Sequence, residues 1–262
     1  MIKCSVMRPD ADFLRRAGWV ALALLTPGFG QTPVVPEWAL PGSATHKQVP
    51  PPADFHRASK TVATPLGVFD GQTDVGGAVV EGSAGYDSGS GRYTINSAGY
   101  NIWYTRDEFR FLWKKMSGDV SLAASVAFPK SDGYGDRKAV LIIRQTLDDD
   151  SKEAMLGEHG VGMIHLAQRP ERGANMKDLQ YRFGGGLAKV LARRVGIEKR
   201  GDSISIWVSL EGEPMARLGP PITLRFDEPF YVGVGFCSHL PADVDTAVLS
   251  DIVLENAAGK VR

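Results

Sequence analysis

The sequence predicts an all-β protein, a two-sheet sandwich or barrel of a dozen or so short strands with almost no helix. Three observations predict it. Apolar and polar residues alternate in short runs through most of the chain, which is the period of a strand with one buried face. The 262 residues include 30 glycines and 16 prolines, and these interrupt the runs at intervals that suit turns better than long helices. Only residues 149–156 carry a pattern a helix could use, and they make at most two turns. No internal repeat is present, which disfavours a propeller.

Composition narrows the function classes. The formal net charge is zero and 43% of residues are hydrophobic. There is no basic block and no aromatic-interleaved Lys/Arg stripe, so nucleic acid is not an expected partner. Cys4 and Cys237 are the only cysteines. Cys4 lies in a segment expected to be removed, and Cys237 reads as a small buried apolar residue.

Residues 1–30 read as an export signal: Arg15 and Arg16 precede the apolar stretch Ala17 to Leu25, followed by Pro27, Gly28 and Gly30. The stretch is too short to span a bilayer. The expectation is a periplasmic or secreted protein without a transmembrane segment after signal removal, by the general or the twin-arginine route. Residues 31–65 form a Pro-rich linker or strap with Pro33, Pro36, Pro41 and Pro50-Pro51-Pro52. Its Trp38, His46, Asp54 and His56 match no metal-ligand spacing.

The sandwich is expected over 66–257, with a tail at 258–262. After Gly67, glycines divide the chain into short pieces. Residues 92–96 alternate, and 108–115 alternate clearly, with Phe109, Phe111 and Trp113 on one face and Arg110, Leu112 and Lys114 on the other. Ser117-Gly118-Asp119 reads as a hairpin turn, followed by a strand with Leu122, Ala124, Val126 and Phe128 inward. Residues 139–143 are a continuous β-branched and apolar run bounded by charges, as expected of a central strand covered on both faces. Ala139, Leu141 and Ile143 share one face; the other begins at Lys138 and ends at Arg144. Strands are also expected over 161–169, 176–183, 194–200, 202–210, 229–236 and 246–254. Gly201-Asp202 forms a tight turn, and Ile204, Ile206, Val208 and Leu210 make a core face opposite Ser203, Ser205, Trp207 and Ser209.

Three motifs then occur in order: Lys-Ala-Val-Leu-Ile-Ile-Arg-Gln-Thr-Leu-Asp at 138–148, Ile-Glu-Lys-Arg-Gly-Asp at 197–202, and Tyr-Val-Gly-Val-Gly-Phe-Cys-Ser-His at 231–239. In them the chain resembles the concanavalin-A-like lectin/glucanase (laminin-G-type) modules grouped with the regulation-of-enolase-like proteins of unknown function, over roughly 67–256. The resemblance implies an antiparallel jelly-roll sandwich, related to carbohydrate-binding sandwiches that accompany sugar-active enzymes. Fold analogy by itself does not assign function.

The residues suggest two kinds of site. Glucanases on this fold need acids on one strand facing one glycosidic bond. The nearest string is Asp148-Asp149-Asp150-Ser151-Lys152-Glu153, which reads first as an acidic turn or a loop for a structural calcium and second as catalytic. Glu158-His159 is another acid/base pair, although adjacent strand residues point to opposite faces. Weak catalytic candidates are therefore Asp148, Asp150, Glu153, Glu158 and His159. The better-motivated site is a face carrying Arg144, His165, Trp207 and Tyr231, with Gly233 and Gly235 leaving space. Aromatic platforms and planar donors hold sugars. The alternative is that the Pro-rich strap covers this face, with Trp38 or Phe55 on Trp207. The expected function is non-catalytic binding of a poly- or oligosaccharide. A glycoside-cleaving enzyme on the same scaffold and a cell-envelope protein-interaction module are the alternatives.

Overall fold

The computed structural model describes residues 56–184 and 190–262. The export signal, Cys4, most of the Pro-rich segment and Trp38, His46, Asp54 and Phe55 lie outside the described residues.

Seventeen strands follow one another: β1 (Lys60–Val62), β2 (Gly71–Val75), β3 (Ser83–Asp87), β4 (Arg92–Ser97), β5 (Ile102–Trp103), β6 (Arg106–Asp107), β7 (Phe109–Met116), β8 (Val120–Ala127), β9 (Lys138–Arg144), β10 (Glu153–His159), β11 (Met163–Arg169), β12 (Lys177–Arg182), β13 (Arg194–Arg200), β14 (Ser203–Ser209), β15 (Ala216–Thr223), β16 (Phe230–Cys237) and β17 (Asp245–Glu255). There is no helix among the described residues, and so none long and apolar enough to cross a membrane. An eight-stranded sheet runs β1-β2-β7-β16-β9-β10-β11-β12 and a seven-stranded sheet runs β15-β14-β13-β8-β17-β4-β3, while β5 and β6 form a small separate pair. All pairings are antiparallel. The fold is the antiparallel two-sheet sandwich expected.

The side-chain period of two decides what lies between the sheets. From β9 come Ala139, Leu141 and Ile143, from β16 Val232, Val234 and Phe236, and from β8, β13 and β14 Leu122, Ile197, Ile204 and Ile206, all buried in one continuous core. Val126 and Phe128 pack against its edge, partly buried. β9 sits between β16 and β10, and all seven of its residues are buried. It is the doubly covered central strand expected.

Three expectations change. The segment 149–156 is not helical: it turns at Asp149–Asp150 and enters β10, whose Ala154 and Leu156 alternate into the core. Ser117-Gly118-Asp119 is not a hairpin turn, because β7 and β8 belong to different sheets. It carries the chain across the sandwich, with Gly118 at φ +73°. No strand was expected over 216–223, where Pro220-Pro221 lacks two ladder donors. β15 forms there as an edge strand, where such donors are dispensable. The start of the sandwich also reaches back into the Pro-rich segment, whose end supplies β1 to the sheet edge beside β2.

Candidate functional site: a cavity on the outer face of the eight-stranded sheet

The strand residues that point away from the core create the chemistry. On the outer face of the eight-stranded sheet, Lys138, Val140, Ile142 and Arg144 of β9 stand opposite His159, Gly157, Met155 and Glu153 of β10. The next strand aligns His165 with Gly157, Ala167 with Met155 and Arg169 with Glu153. The face therefore has an ionic end at Arg144–Glu153–Arg169, an apolar middle, and a polar end at Lys138–His159–His165.

The ionic end is sealed. Arg144 and Arg169 both donate to Asp107 of β6, at 2.6 Å each, and Arg144 also pairs with Glu153; all four side chains are fully buried. The two guanidinium charges hold the Asp107 carboxyl below its ordinary value against its desolvation. Val140, Ile142, Met155 and Ala167 are also without exposure, packed under Ile102 and Trp103 of β5.

The polar end is open. Asn101, Trp103, Asp136, Lys138, His159, Met163, His165, Gln180 and His239 line a cavity of about 320 Å³, at the low end of small-molecule sites. Its floor is buried, whereas Trp103, Asp136 and Gln180 reach solvent at its mouth. The Lys138 ammonium donates to Asn101 Oδ1 at 2.9 Å and to the Ile102 carbonyl at 3.2 Å, and lies 5.1 Å from the Trp103 ring centre. Trp103 stacks on His165, with ring centres 5.2 Å apart and planes 2° from parallel, and His165 meets His159 edge-on at 4.9 Å. His239 closes the wall at φ +66°, left-handed backbone that a non-glycine residue adopts only under constraint.

Burial lowers the Lys138 pKa and pushes His165 down to about 4. His159 is lowered too, by burial first and then by the nearby Lys138 and His165. Both imidazoles are thus neutral at physiological pH, each with one donor and one acceptor nitrogen. None of these four ring nitrogens has a hydrogen-bond partner among the described residues. Asp136 is 3.9 Å from His159 Nδ1 and Asp178 is 3.9 Å from His165 Nδ1, beyond hydrogen-bonding distance. In an open polar cavity such groups are satisfied by water or by a bound polar ligand.

The structure disperses most of the residues singled out in the sequence. His159 and His165 lie in the cavity. Arg144 and Tyr231 share its sheet face, but Arg144 is in the ionic cluster and Tyr231 packs edge-on against Trp113, ring centres 5.2 Å apart. The space expected over Gly235 is occupied by the Phe109 ring, 2.6 Å from where a Cβ would sit. Trp207 is on the other sheet, facing outward beside Arg217. The acids do not converge either. Asp148 and Asp150 pair with exposed Arg172, Glu153 belongs to the ionic cluster, and Glu158 points into the inter-sheet core. There Glu158 accepts from Ala192 N–H at 2.8 Å, and burial raises it to about 8. In the aspartate loop Arg172 pairs with Asp148 and Asp150 and His56 hydrogen-bonds Asp149 at 3.0 Å, and no group of three His, Cys, Asp or Glu among the described residues gathers around a metal position. Cys237 is buried beside this face, its thiol pushed up to about 11.

Asn101, Trp103, Lys138, Gln180 and His239 were not singled out as site residues. The one available signal was that Lys138 shares the outward alternation of Arg144. A larger hollow, about 660 Å³, lies outside the seven-stranded sheet, lined by Arg193, Glu211, Glu213, Asp251 and Arg262 among others. These five side chains are exposed, so solvent satisfies them and no ligand is required.

No family model matches the chain, and no curated protein matches it. Among solved structures, it is similar to a functionally unknown protein from Saccharomyces cerevisiae, at 14% identity and a TM-score of 0.50, covering 68% of this chain and 93% of that one. A carbohydrate binding module from Bacillus subtilis aligns at 12% identity and a TM-score of 0.43, over 67% of this chain and 92% of that one. A xylan β-1,4-xylosidase from Bacillus halodurans aligns at 12% identity and a TM-score of 0.46, over 63% of this chain and 32% of that one. Identities this low speak to the fold alone.

Proposed function

We propose that this is an exported, non-catalytic carbohydrate-binding protein of the regulation-of-enolase-like group, and that its saccharide site is the cavity around His159 and His165. The observation that carries the reading is the set of buried, unpartnered imidazole nitrogens beside a partly exposed indole. A sugar hydroxyl is both donor and acceptor, as each neutral imidazole is, so a polyol can satisfy all four nitrogens. Trp103 supplies a flat apolar surface for sugar C–H groups, and Lys138, Asn101 and Gln180 add fixed polar contacts. An apolar ligand would leave the same nitrogens dry, at a cost of about 1–3 kcal/mol each.

Binding without cleavage is favoured because none of Asp148, Asp150, Glu153 and Glu158 lines the cavity. The second reading is glycoside cleavage, and its supporting observation is the Asp136–His159 pair, 3.9 Å apart and both in the lining. A glycan array run beside a reducing-sugar release assay separates the two. Array binding without release of reducing ends supports the proposal. Turnover that disappears in Asp136→Asn would overturn it in favour of the enzyme.

A further inference from the structure

We infer that the cavity takes the terminal residue of a glycan chain, not an internal stretch of a polysaccharide; this rests on the saccharide reading above. To hold the middle of a chain, a sandwich needs a groove open at both ends along the sheet face. Here the face is filled from the Trp103–His165 stack onward. Val140, Ile142, Met155 and Ala167 have no exposure, and beyond them Arg144, Glu153 and Arg169 are fully buried under Asp107. The cover is the β5–β6 pair, whose Ile102 and Trp103 lie on the apolar middle and whose Asp107 locks the ionic end. The cavity therefore has a closed inner end.

Its other side is different. Asp136, Gln180 and the nearby Arg182 on edge strand β12 reach solvent. The volume, about 320 Å³, suits one sugar residue or two. A saccharide entering past Gln180 places its first residue against Lys138, His159 and His165, and its remaining residues leave the way they came, into solvent. Contacts stop growing after the first or second residue, whatever the chain length.

The test uses the full chain and the linear glycan bound most tightly on the array. Its di-, tri- and hexasaccharides are titrated calorimetrically, with the parent polymer before and after partial acid hydrolysis. The expected result is affinities within about threefold from disaccharide to hexasaccharide, and binding capacity of the polymer that rises with its number of chain ends. Trp103→Ala should weaken the disaccharide and the hexasaccharide by the same factor, about tenfold or more. Affinity that climbs tenfold or more toward the hexasaccharide, with capacity indifferent to hydrolysis, would overturn the chain-end inference and leave the saccharide reading intact. No binding of any array glycan would overturn both.

Discussion

Replacing Glu158 by glutamine should change how stability depends on pH. Glu158 is buried in the inter-sheet core, with Oε1 accepting from Ala192 N–H and Oε2 without a partner among the described residues. Burial raises its carboxyl to about 8, whereas in the unfolded chain a glutamate titrates near ~4.3. Between these values the native state holds a proton the unfolded chain has lost. Stability is therefore fully present below the unfolded value and is lost as pH rises through 8. Integrating the linkage relation from pH 7 to pH 8 gives a loss of about 1 kcal/mol from this carboxyl. Glu108, raised to about 7 by burial, acts in the same direction, and Lys138, held below its ordinary value, acts in the opposite one. The difference between wild type and Glu158→Gln isolates the single group. Urea unfolding at pH 6, 7 and 8 and constant ionic strength should show the variant gaining on wild type by about 1 kcal/mol over the last unit. A difference independent of pH, or one that runs the other way, would refute the burial of an acid here.

Three further outcomes are measurable. Asp107→Asn removes one of the two carboxylates shared by the buried Arg144 and Arg169 guanidinium groups and should cost about 3–5 kcal/mol in urea unfolding; an unchanged midpoint would mean that the ionic end is solvated. Gly157→Ala would put a Cβ 2.1 Å from His165 Nε2, costing about 1–3 kcal/mol of overpacking. It should also break the Trp103–His165 stack, visible as a changed near-ultraviolet dichroism, and unchanged spectrum and affinity would contradict the packing of the floor. Mass spectrometry of periplasmic protein should find a chain beginning close to Gln31, because Arg15-Arg16 and the apolar run read as an export signal. An intact Met1 there would count against export.

The core was legible in the sequence because burial writes itself as periodicity. Ala139, Leu141 and Ile143, and Ile204, Ile206 and Val208, alternate as the pleat requires, and the pattern needs no knowledge of partners. The three motifs that carry the family resemblance coincide with β9, β13 and β16, so they chiefly record this packing. The site was less legible because it is assembled from separate chain segments. Lys138, His159 and His165 share a face through register, which alternation within each strand can hint at. Trp103, Asn101 and His239 come from a short hairpin and loops that no period marks. Arg144 finds its partners in Asp107 of β6 and Glu153 of β10, and neither pairing has a local signature in the sequence. Trp207 looked like a platform because it stands alone among serines; its strand belongs to the opposite sheet, which strand order alone does not reveal.

The central claim, that a saccharide sits against Trp103 in the cavity, is tested most directly by indole N–H resonances. Protein labelled with ¹⁵N at tryptophan is titrated with the array's best glycan, and the Trp103 signal is identified by its loss in Trp103→Phe. A saturable shift of the Trp103 resonance is expected while Trp207, on the other sheet, stays in place. A shift confined to Trp207, or Trp103 unmoved at saturation, would contradict it.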